Sequence, residues 1–155
     1  MKRLFSLSLL LVISVLVSAA PARPRPEIMG ISLDMKRDAV LARLKSIGSL
    51  EREARKQQEV WAIKDPRISH LLVGYDVENR VRYVTAIART DGPRIRYHEV
   101  ANLKSAQRSD APGNHKFTWE IERRRGESFI LIARGRDAQY LDSYSVKKKD
   151  QEEID

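Results

Sequence analysis

Two runs of two-residue alternation, Ser69 to Val77 and Arg80 to Ala88, dominate the middle of this chain and constrain its fold more than any other feature. In the first, Leu71, Val73, Tyr75 and Val77 share one face; in the second, Val81, Tyr83, Thr85 and Ile87 share one and Arg82 takes the other. A period of two places successive side chains on opposite sides of a strand, so both runs read as strands. Glu78-Asn79 between them suits a two-residue hairpin connection, because Asn tolerates positive φ. Upstream, Glu59 to Ile63 reads as a third strand, ending at the turn Lys64-Asp65-Pro66-Arg67.

A helix precedes these strands. From Asp34 to Ser46, with Ile47 beyond it, apolar residues recur at three- and four-residue spacings with Lys, Arg and Asp between them. Asp34 is the expected N-cap, and Gly48 the left-handed stop. Ser49 to Gln58 is nearly all charged or amide, so burial selects neither helix nor loop there. After the punctuation Thr90-Asp91-Gly92-Pro93 the order repeats. Tyr97 to Lys104 suits a short helix, Ser109 to Asn114 a break, and Lys116 to Arg123 a strand carrying Phe117, Trp119 and Ile121 on one face. Arg124-Arg125-Gly126-Glu127 is a hairpin turn, and Leu141 to Val146 a last strand. Ser128 to Ala133 is apolar on both faces and reads as a central strand buried on both.

The expected fold class is therefore α+β: an antiparallel sheet with helices on one face, in two tandem helix-strand-strand-strand units over residues 34–88 and 95–147. The shared Trp61-Ala62-Ile63 and Trp119-Glu120-Ile121 suggest an internal duplication of about 60 residues.

At the N-terminus, Lys2 and Arg3 precede an apolar run, Leu4 to Val17, that ends in Ser18-Ala19-Ala20. That order is a secretory signal peptide over residues 1–19, cleaved after Ala19 or, at the next small residue pair, after Ala22. An exported chain with no transmembrane anchor after cleavage is expected, periplasmic or extracellular. Residues 20–29 contain PARPRP, a Pro/Arg-rich linker with a polyproline II preference. Residues 30–147 form a single domain, which suits a chain of 155 residues, and 148–155 a charged tail. The chain has no cysteine, which excludes disulfides, thiolate metal sites, a cysteine nucleophile and lipoprotein acylation.

The segments Gly30 to Leu44 (GISLDMKRDAVLARL), Val60-Trp61, Leu72 to Asp76 and Val81 to Val84 resemble the outer-membrane assembly lipoproteins of the BamE (SmpA/OmlA) type over residues 30–88. Asp34-Met35-Lys36 stands where that family has a Gly-Met-Ser-like turn. The doubled layout is similar to the β-lactamase-inhibitor proteins. The resemblance implies an envelope location and protein-protein interaction through the sheet. Those lipoproteins are acylated on cysteine, so attachment of this chain to an outer membrane would run through something else.

No catalytic constellation stands out. His70, His98 and His115 form no metal-ligand spacing, and no nucleophile elbow or phosphate-binding glycine loop is present. Glu120 and Glu122 alternate with apolar residues as a solvated strand face would. The expectation is a non-enzymatic protein that binds another protein of the envelope, with no catalytic residue, cofactor or metal. The alternatives are a periplasmic hydrolase with dispersed carboxylates and a weak binder of an anionic polymer. A net charge of +8 allows anionic polymers as partners, while a basic-aromatic platform for nucleic acid is missing. Candidate partner-binding residues are Trp61, Arg123, Arg124 and Arg125.

Overall fold

The computed structural model describes residues 25–53, 57–122 and 127–149. A short ribbon, β1 (Glu27–Ile28) and β2 (Ile31–Ser32), leads into helix α1 (Arg37–Ile47). Strands β3 (Gly48–Glu53), β4 (Gln58–Ile63), β5 (Ile68–Tyr75) and β6 (Val81–Ala88) follow. The second half opens on the single turn α2 (Tyr97–Val100) and a 3-10 turn (Leu103–Ser105). It continues with β7 (Gln107–Ala111), β8 (Asn114–Glu122), β9 (Ser128–Gly135) and β10 (Ser143–Lys148).

Strands β1 and β2 pair with each other, and the eight strands β3 to β10 form one antiparallel sheet in the order β3-β4-β5-β6-β10-β9-β8-β7. Each half is a four-stranded meander, and the halves meet last strand to last strand. The seam pairs Ala86 with Tyr144, Thr85 with Ser145 and Val84 with Val146, a pattern symmetric about Thr85 and Ser145. Those two residues are 60 apart in sequence, and that spacing recurs elsewhere. The Val81 N–H donates to the Met35 carbonyl at 3.0 Å, and the Leu141 N–H to the Ile95 carbonyl at 3.0 Å. Leu71 and Leu131, also 60 apart, lie opposite Trp61 and Trp119, which are 58 apart.

This architecture overturns the α+β expectation. Of the described residues 54% are in strands and 15% helical, and only α1 reaches seven residues among them. Each half carries four strands rather than three. The additional ones, β3 and β7, lie at the sheet edges, where exposed polar side chains are compatible with pairing on one side only. In the second half the helix stops after one turn because Asn102 diverts the local hydrogen bonds. Its side chain accepts from the Lys104 N–H at 3.0 Å, and its carbonyl accepts from Ser105 Oγ at 3.0 Å and Trp119 Nε1 at 2.8 Å.

The ends of α1 also differ from expectation. Asp34 has φ +67° and lies before the helix, whose N-cap is Lys36, with no side-chain cap bond. Gly48 is extended rather than left-handed. A side chain there would put Cβ 2.2 Å from the Ala62 carbonyl oxygen, so glycine is required for close approach as helix passes into β3. At the β5–β6 hairpin Asn79 does adopt positive φ, +57°.

The core lies on one side of the sheet. Leu71, Val73, Val84, Leu131 and Val146 pack there beneath Val40 and Leu44 of α1, Ile28 and Ile31 of the ribbon, and Tyr97. Phe129, Leu131 and Ala133 of β9 are buried, whereas Ile130 and Ile132 are only partly so. This strand is therefore buried on one face, not on two.

Candidate binding surface

Register assigns every strand residue to one of two faces, because residues paired across antiparallel strands point the same way. Leu50, Trp61, Leu71, Ala86, Tyr144, Ala133 and Phe117 make one row of the inner, core-bearing face. On the outer face the central row is Val60, Leu72, Thr85, Ser145, Ile132 and Thr118. Among the described residues, no helix or ribbon packs on that face; α1 and the β1–β2 ribbon serve the inner core.

The outer face combines aliphatic side chains with hydroxyls. Leu72, Ile87, Ile130 and Ile132 are partly exposed, and none belongs to the core cluster. At the centre Thr85 Oγ1 and Ser145 Oγ lie 2.9 Å apart. Tyr83 lies flat across Gly74, where any Cβ would come within 2.1 Å of the ring. That close approach needs glycine, and it smooths one end of the surface.

The inner face carries the one buried charge among the described residues. Glu59 is 2% exposed, and its carboxylate accepts four hydrogen bonds. Arg37 Nε and Nη2 donate to Oε1 at 2.9 and 2.6 Å; Trp61 Nε1 and the Tyr75 hydroxyl donate to Oε2 at 3.0 and 3.1 Å. Arg37 also lies over the Tyr75 ring at 5.3 Å. Burial and the Glu59 charge raise the Tyr75 pKa well above the usual tyrosine value, so the phenol stays a donor. The hydrogen bond to Glu59 raises that of Arg37. A carboxylate saturated by four donors is structural in character and has no lone pair directed at a substrate.

In the second half the corresponding volume is apolar. Tyr97 and Phe117 stand there with ring centroids 4.5 Å apart, and the Tyr97 hydroxyl lies 2.5 Å from where a Cβ on Gly135 would sit. Burial lifts Tyr97 to about 12. Two routes thus fill the same place beneath the sheet, one ionic and one aromatic.

The candidate residues separate accordingly. Trp61 is 3% exposed and bonded to Glu59, so the structure places it in the core and not on a partner-facing surface. Trp119, at 1%, is likewise core. Arg123, Arg124 and Arg125 lie outside the described residues. Sequence reasoning did not single out Leu72, Ile87 and Ile132; their alternation with core residues marks them as the opposite face, and only the tertiary structure shows that no described element covers it.

The histidines lie apart. His70 Nε2 is 3.2 Å from Glu51, and His115 Nδ1 is 2.9 Å from Asp110 on the β7–β8 hairpin. No group of three His, Asp or Glu among the described residues is placed to hold a metal ion. A polar cavity of about 440 Å³ lies between the start of α1 and the β5–β6 hairpin, lined by Lys36, Arg37, Asp38, Glu78, Asn79 and Arg80. Its charges are mixed, and Arg37 and Arg80 already pair with Glu59 and Glu78.

No helix among the described residues is long and apolar enough to cross a membrane. No protein-family model, curated protein or solved structure matches the chain.

Proposed function

We propose that this chain is an exported, non-enzymatic module of the cell envelope that binds another protein through the outer face of its sheet. The observation that carries the reading is the open surface centred on Thr85 and Ser145, where Leu72, Ile87, Ile130 and Ile132 present aliphatic area with no covering element among the described residues. Burying partly exposed aliphatic side chains against a partner contributes roughly 25 cal/mol per Å² of apolar area. A rigid sheet also presents them at little ordering cost. Export is supported by the basic, apolar and small-residue order of positions 2–20.

Photo-crosslinking tests the docking face. A photo-reactive residue in place of Leu72 or Ile132 is expected to capture the same partner in cells, and one in place of Val77, 87% exposed at the hairpin tip, is not. Equal capture from Val77, or none from either sheet position, would overturn the docking reading. Cell fractionation tests export separately: recovery of the chain unprocessed in the cytosol would overturn that part.

A further inference from the structure

The outer face is not electrically balanced. Lys116 of β8 and Arg134 of β9 stand directly opposite one another in the ladder, both on this face. Lys147 of β10 is on the same side, opposite Ile130. Like charges directly across an antiparallel pair destabilise a sheet. None of these three cations has an ion-pair partner among the described residues. Of the acids in the same stretch, Glu120 is taken by Lys149, and Glu122 stands opposite Ser128 at the far end of β8 from Lys116. In the first half, the outer face has Arg52 near the edge, and His70 stands beside Glu51. The excess positive charge therefore gathers on β8, β9 and β10, next to Ile130 and Ile132.

The neighbours of these cations distinguish between kinds of anion. A polyanion such as a nucleic acid or an acidic polysaccharide is matched by tracks of cations, with rings to stack upon for bases. Here Lys116 and Arg134 flank Thr118 and Ile132, and Lys147 stands between Ile130 and Tyr83; of the two rings on the described strands of this face, Tyr83 is laid flat on Gly74 and His70 lies across the sheet beside Glu51. Aliphatic anchors beside unpaired cations fit a polypeptide that carries both apolar and acidic side chains.

We infer that the partner presents an acidic, aliphatic polypeptide surface to β8, β9 and β10, its carboxylates pairing with Lys116, Arg134 and Lys147 while its apolar side chains cover Ile130 and Ile132. This inference rests on the docking reading above and adds the chemistry of the partner. The repulsion between Lys116 and Arg134 is relieved when a carboxylate sits between them.

The probe is a fluorescent peptide alternating glutamate with leucine, titrated into the full chain by anisotropy, against the same peptide with glutamine in place of glutamate. The glutamate peptide is expected to bind, more weakly as salt rises. The glutamine peptide should bind at least about tenfold more weakly, a difference of about 1.4 kcal/mol. The double variant Lys116→Gln, Arg134→Gln is expected to lose at least about tenfold for the glutamate peptide. Its thermal midpoint should be equal or higher, because a like-charge pair has gone. Arg52→Gln should change nothing. If both peptides bind alike and Ile132→Asp abolishes both, the acidic partner is wrong and the docking face stands. Displacement of the peptide by heparin at equal affinity would make this a polyanion site and overturn the inference. If neither peptide binds, or Ile132→Asp moves neither, the docking reading falls with it.

Discussion

Thr85 and Ser145 face each other across β6 and β10, their hydroxyl oxygens 2.9 Å apart at the centre of the eight-stranded sheet. The bond joins the two meanders where the pairing pattern is symmetric. A neutral, half-buried hydroxyl pair contributes about 0.5–1.5 kcal/mol. A double-mutant cycle with Thr85→Val and Ser145→Ala is expected to give a coupling energy of that size, measured by denaturant unfolding. Additive losses would show that the backbone ladder alone holds the seam.

Arg37 balances the buried charge of Glu59. Arg37→Ala leaves Glu59 with the Trp61 and Tyr75 donors but no counter-charge, and an uncompensated buried carboxylate costs about 3–5 kcal/mol. The guanidinium is one-third exposed, so water compensates in part and the lower end of that range is expected. Glu59→Gln keeps the shape, forfeits the charge and places an NH2 against donors, with an expected cost of about 1–3 kcal/mol. Chemical denaturation of both variants checks the order.

Leu131 and Ile132 are neighbours on β9 with opposite fates, one 2% exposed in the core and the other on the outer face. Leu131→Ala is expected to cost about 2–5 kcal/mol through lost burial and a cavity. Ile132→Ala should cost under about 1.5 kcal/mol and, on the proposed docking reading, weaken partner capture. Thermal unfolding and crosslinking yield, read together, separate the two roles.

Asp76 connects the β5–β6 hairpin to the last strand: it accepts from the Glu78 and Arg80 N–H groups at 3.0 and 2.9 Å and lies 3.5 Å from Lys148. Burial works against the charged form, but the two N–H donors and the Lys148 ammonium outweigh it and lower the Asp76 pKa. A carboxylate whose folded pKa lies below its unfolded value contributes stability above the ordinary aspartate value of about 3.9 and loses it as pH falls through the folded value. Asp76→Asn is therefore expected to be less stable than the parent at neutral pH, with the gap closing below about pH 4. Thermal midpoints measured across that range check it.

Much of the fold is legible along the chain. The alternation in Ser69 to Ala88 corresponds to β5 and β6, and Asn79 supplies the positive φ of their hairpin. Strands β3 and β7 were not legible, because Ser49 to Glu53 and Gln107 to Ala111 are exposed, carry few apolar side chains (Leu50 and Ala111) with no alternation, and pair because β4 and β8 offer free backbone groups. The candidate surface was legible in composition and not in role. Leu72, Ile87 and Ile132 read as ordinary apolar strand residues, while Trp61 attracted attention as a binder and is a core residue.

The sequence by itself determined where strands and turns form in the middle of the chain and which residue types alternate, because side-chain period and backbone sterics act within a few residues. Tertiary structure decided which of the two faces became core, that Glu59 is buried under four donors, and that Lys116 meets Arg134. Each of those facts depends on register between segments distant in the chain, and a one-residue slip would exchange the two faces.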